Sequence, residues 1–198
     1  MPTYSKTLFT QEIKNLRGKQ KRSEKGNRKN QKGAKMKEIK IYFAAPLFTQ
    51  AERIWNRMLK KAIEKIAKAQ ELEIRILFPQ DIAEKILSND RYSEKHKKDL
   101  LHDDLLFTKV GNADIIMAIL DGADSDSGTS GELCAAKVLN KRIIGIRTDF
   151  RGSGEDKGLN LMLSRGLDAL IHFPSFNENI DELAGKIVGA IKKIYKKR

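Results

Sequence analysis

The run Asp114-Ile-Ile-Met-Ala-Ile-Leu120 constrains the fold of this chain more than any other feature. It shows no polar–apolar alternation, so a strand here must be covered on both faces, as in the interior of a parallel sheet. Parallel neighbours need crossover connections, usually helices. The flanking sequence supplies both. Ile39-Lys-Ile-Tyr-Phe-Ala44, Glu73-Ile-Arg-Ile-Leu-Phe78, Arg142-Ile-Ile-Gly-Ile-Arg147 and Ala169-Leu-Ile-His-Phe173 are further short apolar segments, the first two closed by Pro46 and Pro79. Thr49 is a suitable N-cap for a helix over Gln50–Ala69, where Ile54, Met58, Ala62, Ile66 and Ala69 recur at spacings of three and four. Helical patterns also cover 94–110, 130–140, 159–165 and 179–195, and 80–93 reads as a polar connection. This alternation predicts an α/β fold: a doubly wound, five-stranded, mainly parallel sheet, Rossmann-like or flavodoxin-like, with helices on both faces. Ligands of such sheets bind beyond the carboxyl ends of the strands, which directs attention to loops 44–49, 78–83, 120–131 and 148–160.

The chain carries 39 Lys and Arg against 26 Asp and Glu, a formal charge of +13. Residues 1–35 hold eleven of the basic side chains and only Glu12 and Glu24, or +9, leaving +4 on the remainder. Gly, Asn, Gln and Ser separate the charges between Arg17 and Lys35, with no apolar periodicity to offset ordering entropy. We therefore expect two parts: a basic extension over 1–37 without fixed structure, and an α/β domain over 38–198. The extension is either an electrostatic arm for nucleic acid or acidic surfaces, or a solvated tail ahead of Met36.

At 40% hydrophobic residues the remainder can build a core, and the single Cys134 excludes a disulfide framework or a cysteine-based zinc cluster. No apolar run approaches the roughly 18 residues of a membrane span. A cytoplasmic protein with no membrane contact is expected.

Among the loops, Asp121-Gly-Ala-Asp-Ser-Asp-Ser-Gly-Thr-Ser-Gly-Glu132 is the informative one. Its Asp and Gly spacing misses the calcium-loop pattern, and it lacks the Gly-Lys-Ser/Thr of a phosphate loop. Read by composition alone, it is a polar loop ending on a glutamate in the first turn of a helix, where the dipole favours a carboxylate.

Taken together, Ile41-Tyr-Phe-Ala-Ala-Pro-Leu-Phe48, Phe78-Pro-Gln-Asp81, Ala113-Asp-Ile-Ile-Met-Ala-Ile-Leu-Asp-Gly122, Asp126-Ser-Gly-Thr-Ser-Gly-Glu132, Arg147-Thr-Asp-Phe-Arg151 and Asn160-Leu-Met162 form an ordered set. In this order and spacing, over about two-thirds of the chain, they resemble the nucleoside 2-deoxyribosyltransferase family. The resemblance implies a nucleophilic carboxylate at Glu132, which would form a glycosyl ester with the sugar as retaining glycosidases do. It also implies a proton donor to the departing base, an aspartate eight residues ahead of Asp114. That position is Leu106 here, a departure from the pattern. If Gly111-Asn112 caps the helix early as a two-residue insertion, Asp104 comes into register, with Asp103 as the fallback. Either could instead be an exposed carboxylate paired with Lys97 or Lys98.

The same resemblance places Asp126 on the sugar 5′-hydroxyl, which a carboxylate accepts well while repelling a phosphate. It places Asn160 on that hydroxyl from a neighbouring subunit, and therefore implies a homo-oligomer. Tyr42 would position Glu132, and Phe48 would wall the base site by stacking. Each has a plainer reading: a solvated loop carboxylate for Asp126, a helix N-cap for Asn160, and packing for Tyr42 and Phe48. Gln80 and Asp81 are weaker candidates for reading the base. Cys134 is expected to pack its helix on the sheet, Trp55 to lie on the packing face of the first helix, and His96, His102 and His172 to be non-ligating.

The function expected is base exchange on 2′-deoxynucleosides, with a free nucleobase as second substrate and no cofactor or metal. One alternative is an N-glycosidase hydrolysing deoxynucleosides or their 5′-monophosphates. Another is a non-catalytic nucleotide- or nucleic-acid-binding protein using the basic arm.

Overall fold

A computed structural model describes residues 38–151, 158–174 and 176–196, without the side chains of Leu106 and Phe107. The chain divides into Met1–Lys37 and Glu38–Arg198. The expected basic arm lies outside the described residues.

The described residues of Glu38–Arg198 hold five strands, β1 (Ile39–Ala44), β2 (Ile74–Leu77), β3 (Ile115–Ile119), β4 (Arg142–Arg147) and β5 (Ala169–His172). They form one sheet in the order β2-β1-β3-β4-β5. Every pairing is parallel. The apolar run that set the expectation is β3, at the centre of the sheet and buried at all five positions.

Strand alternation splits the core into two layers. Ile39, Ile41 and Phe43 of β1 pack with Leu59 and Ile63 of helix α1 (Gln50–Ala69) and with Ile187 and Ile191 of helix α7 (Ile180–Tyr195). Tyr42 and Ala44 point to the opposite layer, among Ile116, Ala118, Leu120, Leu133 and Ala136. Each fully buried Ile or Leu contributes about 1.5–3 kcal/mol, so the two layers supply most of the driving force. Trp55 packs partly against the first layer.

Local chemistry sets the helix starts. Thr49 and Glu52 form a reciprocal capping box at α1: the Thr49 hydroxyl accepts from the Glu52 amide at 3.2 Å, and Glu52 accepts from the Thr49 amide at 2.7 Å. The expected polar connection over 80–93 instead contains helix α2 (Pro79–Leu87). Its signal is Pro79 at the first helical position, where a missing N–H costs nothing. Ion pairs from Arg57 to Asp81 and Glu84, and from Arg53 to Glu84, bridge α2 to α1.

The segment 94–110 also differs from expectation. Helix α3 (Glu94–His102) continues into a π-helical segment (Asp103–Lys109) and then a short α4 (Val110–Asn112). Gly111-Asn112 therefore does not end the helix early. The wider i→i+5 turn absorbs surplus residues without breaking the helix. Helix α5 (Ser127–Val138) starts three residues earlier than expected, because the Asp126 carboxylate caps it. Cys134 is exposed on α5 rather than packed against the sheet. Helix α6 (Leu161–Ser164) is a single turn. No helix among the described residues is long and apolar enough to cross a membrane.

Candidate active site

In the order β2-β1-β3-β4-β5 the winding reverses between β1 and β3, and a crevice at that switch point is where a doubly wound sheet takes ligands. Tyr42 lies near the carboxyl end of β1, fully buried. Its hydroxyl donates to Glu132 Oε1 at 2.5 Å. Because α5 begins at Ser127, Glu132 sits in the second turn rather than the first. The helix dipole fades over that distance, so burial dominates its electrostatics. Burial lifts the Glu132 carboxyl to about 7, the Tyr42 hydrogen bond opposes the rise, and the charge of Asp126 adds to it. Tyr42 is held far above the ordinary phenol range by burial, by the charge and hydrogen bond of Glu132, and by the charge of Asp104. It is therefore a permanent donor.

Asp126 Oδ2 accepts from the Thr129 amide at 2.7 Å and the Thr129 hydroxyl at 3.0 Å. One oxygen of Asp126 is thus committed to capping α5. Asp104, on the π-helical segment, forms an ion pair with Lys109 at 3.1 Å. Its neighbour Asp103 is more open, with a side chain 70% exposed and 3.0 Å from His102 Nδ1. Of the two lysines expected near it, Lys97 and Lys98, Lys97 pairs with Glu94 at 3.0 Å instead. A cavity of about 660 Å³ opens between α2 and α3 with its π-helical extension, lined by Ile82, Ile86, Tyr92, Leu100, Asp104 and Lys109.

The loops after β3 and β4 are knitted together. Arg147, 1% exposed, donates to the carbonyls of Leu120 (2.6 Å), Gly122 (3.2 Å) and Arg151 (3.0 Å). Asp149 accepts from the Gly122 amide at 3.0 Å and from the Arg151 guanidinium, which holds its carboxyl well below the usual range. Asp121 accepts from the Thr148 amide and hydroxyl, both at 2.6 Å. Gly158, at φ +79°, approaches so closely that a Cβ there would stand 2.9 Å from an Arg147 nitrogen.

Of the six residues singled out in the sequence, four are linked electrostatically: Tyr42 with Glu132 and Asp104, and Glu132 with Asp126. Phe48 and Asn160 make no hydrogen bond with any of them among the described residues. Phe48 is 77% exposed in the loop after β1, not core. Asn160 Oδ1 accepts from the Met162 amide at 2.8 Å and caps α6, with Leu161 and Met162 exposed beside it. Gln80 is buried, its amide nitrogen on the Arg53 carbonyl and its Oε1 unpartnered, whereas Asp81 is taken by Arg57. Lys109 was not legible as a site residue. In an α-helix, a residue five positions on lies well round the cylinder from its partner.

The family model described as nucleoside 2-deoxyribosyltransferase matches residues 41–163. An uncharacterised protein of Ureaplasma parvum serovar 3 is 28% identical over 160 residues, covering 74% of this chain and 95% of its own. A conserved protein of Enterococcus faecalis V583 superposes with a TM-score of 0.56 at 25% identity, over 76% of this chain and 98% of its own. The 2-deoxyribosyltransferase of Bacillus psychrosaccharolyticus superposes with a TM-score of 0.50 at 23% identity, over 73% and 90%, a likeness of fold. The match spans more than half of the chain and takes in Tyr42, Asp104, Asp126, Glu132 and Asn160, so the protein belongs to the nucleoside 2-deoxyribosyltransferase family.

Proposed function

We propose that the protein exchanges the nucleobase of 2′-deoxynucleosides through a covalent deoxyribosyl ester on Glu132. The observation that carries this reading is the Tyr42–Glu132 contact at the switch point of the sheet. Breaking an N-glycosidic bond develops positive charge at the anomeric carbon, and a carboxylate beneath it forms a C–O bond as the C–N bond breaks. A phenol that never ionises suits the task of aiming one oxygen of Glu132 while the other attacks.

The departing base takes the electron pair of the C–N bond and a proton from Asp104. A second base then attacks the ester from the same side, returns its proton to Asp104, and leaves with net retention. The uncommitted oxygen of Asp126 accepts the sugar 5′-hydroxyl and disfavours a 5′-phosphate. Phe48 stacks on the base, and Asn160 reaches the same hydroxyl from a second copy of the chain. Its exposed neighbours Leu161 and Met162 supply apolar surface for that contact.

The test is chromatography of a 2′-deoxynucleoside incubated with a different free base. A new deoxynucleoside is the expected product, absent with Glu132→Ala. Release of deoxyribose with no exchange would assign the protein to N-glycoside hydrolysis. Full exchange by Glu132→Ala would overturn the mechanism.

A further inference from the structure

Asp104 and Lys109 are separated by five positions, a spacing that an α-helix does not bring together. The π-helical segment Asp103–Lys109 does so, since its turns close between residues five apart. The Lys109 ammonium stands 3.1 Å from Asp104 Oδ1, and the two side chains are 28% and 29% exposed, at the wall of the cavity between α2 and α3. Asp104 Oδ2 makes no bond among the described residues. Asp81, Asp103 and Lys85 line the same cavity, but Asp103 is paired with His102 and Asp81 with Arg57. Lys85, by contrast, is exposed. The charge of Asp104 reaches Tyr42, whose hydroxyl is bonded to Glu132. Among the described residues, Lys109 is thus the one cation bonded to Asp104.

We infer that Lys109 is the positioning residue of the acid: it fixes Oδ1 of Asp104, turns Oδ2 toward the base, and stabilises the carboxylate left after the proton has gone. This rests on the proposed base exchange. In the first half-reaction the C–N bond breaks, its electron pair goes to the base nitrogen, and that nitrogen takes the proton of Asp104 Oδ2. A Glu132 oxygen meanwhile bonds to the anomeric carbon. The negative charge thus moves from Glu132 to Asp104, where the Lys109 ammonium offsets it. In the return half-reaction a nitrogen of the incoming base bonds to the anomeric carbon and gives its proton to Asp104, while the ester C–O bond breaks and its electron pair returns to Glu132. The π-helical segment is the structural device that makes this pairing possible at a position where the family spacing is not kept.

The experiment is a double-mutant cycle on the full chain, using the deoxynucleoside and base pair that the wild type exchanges fastest. Lys109→Met should lower kcat about tenfold, part of the roughly 10²–10⁴-fold that general acid catalysis provides, with KM changed less than about twofold. Lys109→Arg should stay within about threefold of wild type. In the Asp104→Asn background, Lys109→Met should change kcat less than about twofold, because a residue acting through Asp104 has nothing left to act on. Equal losses in both backgrounds, or an unchanged kcat in Lys109→Met, overturn the inference while leaving base exchange in place. Absence of any exchange or deoxyribose release by the wild type removes the reaction itself, and the role of Lys109 with it.

Discussion

The hydroxyl of Tyr42 lies 2.5 Å from Oε1 of Glu132, a residue ninety positions away that reaches it from the helix following β3. Three influences act on that carboxyl: burial, which is the largest, the tyrosine hydrogen bond that opposes it, and the charge of Asp126. Their balance puts it at about 7. A nucleophile must be ionised, so the rate of base exchange is expected to fall as the pH drops through about 7. Tyr42→Phe removes the one influence that favours the charged form. The inflection should move to higher pH, with a loss of roughly tenfold at neutral pH, on the scale of a hydrogen bond to a charged group. A pH–rate profile of Tyr42→Phe with an unmoved inflection would contradict this pairing.

The same carboxyl links stability to pH. Its value in the folded protein, about 7, lies above the 4.5 of an exposed glutamate. The folded state therefore holds the proton more tightly, and this contribution is complete below the unfolded value and disappears as the pH rises through about 7. Over that interval the wild type should lose up to about 3 kcal/mol that a non-titrating side chain would not. In urea unfolding, Glu132→Gln should gain on the wild type between pH 5 and pH 8. A gap that stays constant across that range would show that Glu132 is not buried as described.

Asp104 and Asp103 are adjacent in sequence, yet only Asp104 is close enough to Tyr42 to influence it. Asp104→Asn is expected to lower kcat for base exchange about 100-fold or more, the usual scale for losing a general acid. Asp103→Asn, which removes only an exposed contact to His102, should stay within about twofold. Steady-state rates of the two variants decide the assignment, and the reverse ranking would transfer the role to Asp103.

Strand positions were legible because β1, β3 and β4 are apolar runs with few competing patterns, and β1 and β4 fall at Ile39–Ala44 and Arg142–Arg147 as the sequence indicates. Helix α2 was hidden because Gln80, Asp81 and Glu84 make it look like a polar connection, and only Pro79 marks its start. Asp104 could be placed from family spacing only by assuming an insertion at Gly111-Asn112. The surplus is instead absorbed upstream by backbone pairing over Asp103–Lys109, which side-chain periodicity does not report. The Asp126 cap is hidden for a related reason: the Ser- and Gly-rich residues after it carry no apolar stripe, so periodicity starts the helix only at Ser130. Tyr42 comes from β1 and Glu132 from helix α5, which follows β3; the parallel pairing of β1 with β3 brings the two elements side by side, a long-range relation that local periodicity does not report.

Arg147 ties the loop that follows β3 to the loop that follows β4, through the carbonyls of Leu120, Gly122 and Arg151. At 1% exposure, its removal strands three acceptors and leaves Asp149 beside one cation instead of two. Arg147→Met should destabilise the protein by about 3–5 kcal/mol, the scale for breaking a buried charged network. Hydrogen exchange should quicken first in residues 120–126 and 147–151. An effect below about 1 kcal/mol would mean that Asp121 and Asp149 hold the two loops without it.

The +13 of the whole chain is concentrated in residues 1–35, whereas the proposed site is built on three carboxylates, Asp104, Asp126 and Glu132. Three carboxylates disfavour a polyanion and tolerate a neutral nucleoside. The two properties should therefore separate on truncation. A chain of residues 38–198 is expected to keep kcat/KM for base exchange within about twofold. Any RNA or DNA binding of the full chain should weaken steeply with salt, as phosphate contacts from Lys and Arg do, and should vanish on truncation. Filter binding at two salt concentrations and exchange assays on both chains measure the two halves independently. Loss of exchange on truncation would place part of the arm in the catalytic site, and nucleic-acid binding that survives truncation would locate it on Glu38–Arg198 instead.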